Sequence, residues 1–261
     1  MQTENISILS ILMLLIMLIP ILLSNLFLKI KMNRYIIYAM LRMIIQLSFV
    51  GLYLQYLFEF NNTVLNIFYI VIMVIAASFS VINSCKLKIK KFILPVFSAI
   101  IIPHFLMVVY FNLFVARIDN IFDAKYLITI GGMILGNCLN GNIVGLNSFY
   151  NNIKQNEKEY FYSLSLGASR FQALGPYFKQ AVLASITPTL ASTATVGLVA
   201  LPGMMTGQIL GGSIPLVAIK YQIAIMIAIF IVKYFSVILA LVFSSYKSFD
   251  EYDILNKDVY R

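Results

Sequence analysis

Apolar residues occur along this chain in long uncharged runs, not at the three-to-four-residue spacing of a soluble amphipathic helix. The runs are Ile6–Leu28, Tyr35–Phe58, Val64–Ser84, Phe92–Val115, Tyr126–Leu146, Ala181–Leu201 and Leu216–Ser244. At 1.5 Å per helical residue, each is long enough to cross about 30 Å of hydrocarbon. Short polar breaks separate them, with one longer break at about 147–178. The pattern predicts an all-α, polytopic integral membrane protein of about seven transmembrane helices, built as a single domain over residues 1–261.

Charge adds an orientation. Met1–Asn5 carries only Glu4, so the first run lacks the basic leader of a signal peptide and reads as a span. Lys29, Lys31 and Arg34 follow that run, Lys86, Lys88, Lys90 and Lys91 fill the third break, and Lys154, Lys158, Arg170 and Lys179 fill the long one. The alternate breaks, Glu59–Thr63 and Arg117–Lys125, are near neutral or acidic, and Pro202–Pro215 has no charge. The positive-inside rule then predicts an outside N-terminus and a cytosolic C-terminus. The formal charge of +9 belongs to short loops and asks for an anionic lipid surface as partner, not a nucleic acid.

Composition agrees: 61% hydrophobic and 11% charged residues, with mean hydropathy +0.91, against about 25% charged in soluble domains. Cys85 and Cys138 are too few for a disulfide framework and read as packed thiols. No Asp or Glu lies in the core of a predicted span, and the single histidine, His104, follows Pro103 in the fourth. That disfavours a self-powered proton-coupled pump. With no phosphate-cradling loop and no H-E-x-x-H pair, the chain is not expected to be an enzyme. If it moves a solute uphill, the energy comes from another chain; a passive channel is the rival reading. Arg42, Lys220 and Lys233 fall within or near span ends, where they would snorkel or attract an anionic solute.

Three segments carry candidate chemistry. The fifth run is rich in Gly and Asn from Gly131 to Asn142. Gly132 and Gly136, and again Gly141 and Gly145, have the small-xxx-small spacing that lets helices approach, while Asn137 and Asn140 share a face beside Cys138 and serve either as interhelical glue or as a solute pathway. The sixth run is kinked by Pro188 and lined with hydroxyls, among them Thr189 and Thr193, as a cavity wall or by packing alone. Between the last two runs, Gly203, Gly207 and Gly211 form a bare stripe on a short helix or re-entrant element packed close to another backbone. Met204, Met205 and Gln208 lie beside that stripe, and their sulfur and amide groups either meet a soft cation or simply pack.

The long break carries a fourth signal. Residues 157–174 are amphipathic, with Glu157 and Glu159 leading and Gly167 following, as helix start and stop signals require. A ridge of Tyr160, Leu164 and the turn at Gly167 suits a groove on a soluble partner, or else a lipid surface.

The run Ser163-Leu164-Ser165-Leu166-Gly167-Ala168-Ser169-Arg170-Phe171, followed by a helix, resembles the coupling loop of ATP-binding-cassette permeases. Together with Tyr126-Leu127-Ile128-Thr129-Ile130-Gly131-Gly132 and the string from Leu201 to Gly212, it is similar to the FetB-type iron-export permease family, which also has a plant branch associated with aluminium tolerance and UDP-glucose. The resemblance is dense from Lys125 to Ile223. It implies a permease subunit exporting iron or another metal cation, with UDP-glucose or another organic solute as the alternative. It further implies a homodimer of permeases in the bacterial plasma membrane, a FetA-type ATP-binding partner, and ATP and Mg held by that partner, none by this chain. ATPase docking then falls on Glu157, Glu159, Phe161, Leu164, Leu166, Gly167, Ala168 and Ser169. One departure stands out: Phe161 occupies the position of the family's acidic residue.

Overall fold

The computed structural model describes residues 6–260. Among them are ten α-helices and no strand: α1 (Ile8–Ile16), α2 (Ile19–Phe27), α3 (Asn33–Phe60), α4 (Thr63–Ser84), α5 (Ile89–Tyr110), α6 (Ala124–Gln155), α7 (Glu157–Ser165), α8 (Arg170–Thr195), α9 (Gly203–Leu210) and α10 (Pro215–Ser248). Six stretches are long and apolar enough to cross a membrane: α1 with α2, then α3, α4, α5 with the wide turn Phe111–Val115, α6 and α10. The chain is thus an all-helical, polytopic membrane protein. Pro20, in the first turn of α2, accounts for the break that divides the first span.

Two expectations change. The predicted span Ala181–Leu201 is the second half of α8, which begins earlier, at Arg170, and stops at Thr195. Its Ser and Thr content keeps it less apolar than the other six, and those hydroxyls turn back onto their own helix. Thr187 Oγ1 donates to the Leu183 carbonyl and Thr193 Oγ1 to the Thr189 carbonyl, each at 2.7 Å. The long break is also mostly helix. α6 runs on to Gln155 and α8 starts at Arg170, leaving α7 between two tight corners. At 32 and 34 residues, α6 and α10 are about 48 and 51 Å long, more than the hydrocarbon thickness requires.

The core is α6 and α10 packed side by side, with α4, α5 and α8 around them. The closest approach lies at Gly145, where a Cβ would stand 2.9 Å from Val237 Cγ1, and at Gly141, where it would stand 2.5 Å from Lys233 Cε. Ser185 of α8 joins this contact, donating to the Gly141 carbonyl at 2.9 Å. The other glycines predicted to pack behave otherwise within one chain. Gly136, Gly203 and Gly207 have nothing near a built Cβ, Gly132 meets only the flexible tip of Met73, and Gly211 meets its own helix.

One end of the bundle is tied by asparagines. Asn61 Nδ2 donates to Asp123 Oδ2 at 2.8 Å, its Oδ1 accepts from the Ala124 N–H at 2.8 Å, and Asn66 Nδ2 reaches the Phe122 carbonyl at 2.9 Å. The opposite end gathers residues 85–91, α7, the start of α8 and residues 249–260. The first three helices lie apart from this core, and Leu57 is their one buried residue among those described.

Gly145→Ala should overpack the α6–α10 seam at a cost of about 1–3 kcal/mol. It should lower the melting temperature of the purified protein, whereas Gly136→Ala leaves it unchanged.

Candidate functional site

A cavity of 430 Å³ opens between α6, α8, α9 and α10. From α6 it takes Met133, Asn137 and Asn140; from α8, Pro188, Thr189 and Ser192; from the next turn and α9, Pro202 and Met204. The α10 wall is Gln222, Ile225, Met226, Ile229 and Lys233, spaced as one helical face. Pro188 within α8 leaves that helix short of one backbone donor where the wall is formed.

Lys233 lies 8% exposed near the middle of α10. It does not snorkel to a span end, because Gly141 gives its stem room to lie flat against α6. Its Nζ donates to Thr189 Oγ1. Gln222, 6% exposed, lines the same cavity, and its Oε1 has no hydrogen-bond partner among the described residues. Behind the wall, Cys138 and Ser236 share a hydrogen bond of 2.7 Å, and Asn142 Nδ2 donates to Ser236 Oγ and to the Cys138 carbonyl, each at 2.9 Å. Among the described residues, no three His, Cys, Asp or Glu side chains gather as a metal site.

The expected pathway residues therefore divide. Asn137, Asn140, Thr189 and Met204 line the cavity together. Cys138 is sealed behind it. Thr193 lines a neighbouring groove of 410 Å³ shared with Gln222 and Met226. Met205 and Gln208 stay on α9 outside the wall. Sequence reasoning missed Gln222 as a site residue and misplaced Lys233. The signal was the recurrence of polar positions 222 and 233, three turns apart in an otherwise apolar helix.

At the basic end of the bundle, α7 is held on a platform made by residues 249–260. Tyr160, predicted to face a partner, is buried in its own chain. Its ring lies 5.8 Å from that of Phe249, and its hydroxyl donates to the Asp253 carbonyl at 2.8 Å. Burial, followed by the nearby Asp253 charge, pushes the Tyr160 phenol up to about 12. It therefore remains a donor throughout the physiological range, and its bond is lost only as pH climbs from the ordinary tyrosine value, near 10, towards 12. Arg170 pairs with Asp253 and donates to the Asp250 carbonyl at 3.0 Å, while Lys88 Nζ meets Asp258 at 2.5 Å. Phe161 and Leu164 pack against the core. Exposed instead are Glu157, Glu159, Tyr162, Leu166, Gly167 and Ser169. Leu166 is 71% exposed and Tyr162 67%, an apolar tip left uncovered by the described residues. Gly167 forms the corner with a φ of +89° that other residues rarely adopt. α8 then starts from Ser169, whose N–H donates to Gln172 Oε1 at 2.8 Å.

Residues 7–249 match the model of an uncharacterised protein family, UPF0014. The chain belongs to that family. It is 34% identical over 193 residues to Protein ALUMINUM SENSITIVE 3 of Arabidopsis thaliana, covering 73% of this chain and 68% of the relative. It is 33% identical over 201 residues to the "Probable iron export permease protein FetB" of Escherichia coli, covering 76% and 74% of the two chains. A third relative, the UPF0014 membrane protein YjkA of Bacillus subtilis, is 32% identical over 198 residues, covering 76% and 77%. No solved structure matches.

Arg170→Ala should loosen the 249–260 segment from the start of α8. Limited proteolysis should then cut within 249–260 several-fold faster, while the melting temperature of the bundle stays within a few degrees of wild type.

Proposed function

We propose that this chain is the membrane-spanning subunit of an ATP-binding-cassette transporter, powered by a separate FetA-type ATP-binding subunit in the bacterial plasma membrane. The observation that carries this reading is the continuity of α7, Gly167 and α8. An apolar tip, Tyr162 and Leu166, projects from a braced platform and leads directly into the helix whose Pro188, Thr189 and Ser192 wall the cavity. A force on that tip is carried about 30 Å along α8, at 1.5 Å per residue, to the cavity. ATP and its Mg belong to the partner, which closes on α7; this chain supplies the groove-filling tip and the lever. Phe161 packs inward, so the acidity of the docking face comes from Glu157 and Glu159. The basic clusters at the platform end support a cytosolic platform and an N-terminus outside.

A second copy of the chain completes the unit. Arg42 and Gln46, one turn apart in the middle of α3, are exposed beside a 950 Å³ groove. An arginine at that depth facing lipid is costly, and a protein neighbour removes the cost. The name of the Escherichia coli relative supports outward movement of iron, and the amides of Asn137 and Asn140 with the Met204 sulfur are neutral ligands for it. A second reading, an organic solute, is favoured by the hydroxyls, amides and lysine of the same wall.

Leu166→Asp combined with Tyr162→Ala should abolish co-purification of the FetA-type subunit while the chain still elutes as a folded protein. A complex that survives both substitutions contradicts the docking face.

A further inference from the structure

We infer that Lys233 makes the cavity selective for negatively charged solutes, so that a metal passes through it only as an anionic complex. The inference rests on reading the cavity as the solute pathway, and it narrows the solute class.

A lysine at this depth is expensive and normally has a carboxylate opposite it. Here none is available. Among the described residues, Glu59, at the last turn of α3, is the one acid inside a long apolar helix, and Asp123 lies at the tied outer end. A second copy brings the same long apolar helices, with Glu59 again the one acid in them among the described residues. The one hydrogen bond recorded for the ammonium goes to the neutral Thr189 hydroxyl, which leaves its charge uncompensated. The position is built, not incidental: Gly141 makes space for the stem, and Ser185 ties the Gly141 carbonyl to α8.

Gln222 is the independent second observation. It is 6% exposed, lines the same wall three turns from Lys233, and its side-chain Oε1 has no hydrogen-bond partner among the described residues. A buried amide left without partners costs free energy unless a ligand supplies them. One cation, one buried amide oxygen without a partner, and hydroxyls around 430 Å³ fit a small solute with a phosphate or carboxylate charge and a polar remainder. A bare dication in the same space meets an ammonium and no anionic ligand, the reverse of what hard metal ions require.

The test is thermal stability of the full chain purified in lipid nanodiscs, titrated at constant ionic strength with sodium phosphate, sodium citrate, ferric citrate, ferrous chloride or manganous chloride. Phosphate and citrate distinguish phosphate from carboxylate chemistry, and ferric citrate against ferrous chloride distinguishes a complexed metal from a bare one. The expected result is a rise in melting temperature with at least one of the three anionic probes, kept by Lys233→Arg. Lys233→Met should need about tenfold more probe or greater, the size of one charge-assisted bond. Lys233→Gln serves if the Met variant does not fold. No response to any anionic probe, a response unchanged in Lys233→Met, or equal stabilisation of wild type and Lys233→Met by the bare dications overturns the inference. Because the ATPase is absent from this measurement, a failure here is separate from a failure of the docking face.

Discussion

Close approach of α10 to α6 is the contact on which the rest of the structure depends. In hydrocarbon there is no hydrophobic force between helices, so backbones must come near enough for packing and polar contacts to hold them. Gly145 admits Val237, Gly141 admits the stem of Lys233, and Ser185 then draws α8 onto the same point through the Gly141 carbonyl. A single pair of bare backbone positions thus fixes three helices and, with them, three walls of the cavity. The same geometry delivers a lysine to a depth at which no side chain of its own chain neutralises it.

The basic end of the bundle follows a different logic. There the chain is outside hydrocarbon and can use ion pairs and side-chain hydrogen bonds. Residues 249–260 pass under the ends of α5, α6, α7 and α8, with Lys88 on Asp258, Arg170 on Asp253 and Tyr150 sharing a 2.5 Å hydrogen bond with Ser248. These contacts brace α7 from behind and leave Tyr162 and Leu166 in front. In the proposed coupling, a push on this exposed apolar tip is taken up at the Gly167 corner and along α8. The polar, hydroxyl-rich character of α8 is consistent with a helix that slides against water and solute more than against lipid.

Hydropathy made the membrane class, six of the spans and the basic end legible, because long uncharged runs and loop lysines are local signals. It marked the sixth run but misplaced its ends, since α8 starts at Arg170 and stops at Thr195, and it missed how far helix continues through the long break. Asn137, Asn140, Thr189 and Met204 were readable as polar or soft groups at membrane depth. The spacing of Gly141 and Gly145 was readable as a close-packing signal, but the neighbour each would meet, the burial of Lys233 and the inward turn of Tyr160 were not, since each depends on which neighbour arrives from a segment tens of residues away. Tyr160 shows the limit best: its amphipathic position is the same whether it meets a partner or its own C-terminal segment.

The central claim is that nucleotide on a partner subunit changes which side of the membrane reaches the cavity. It is tested most directly by labelling Asn140→Cys, in the assembled complex in sealed vesicles, with a membrane-impermeant thiol reagent applied to either face. Cys85 and Cys138 are both buried and provide a low background. The account predicts that the face from which position 140 is labelled switches when the ATP-binding subunits are held in their ATP-bound state. Labelling from the same face at the same rate with and without nucleotide would contradict it.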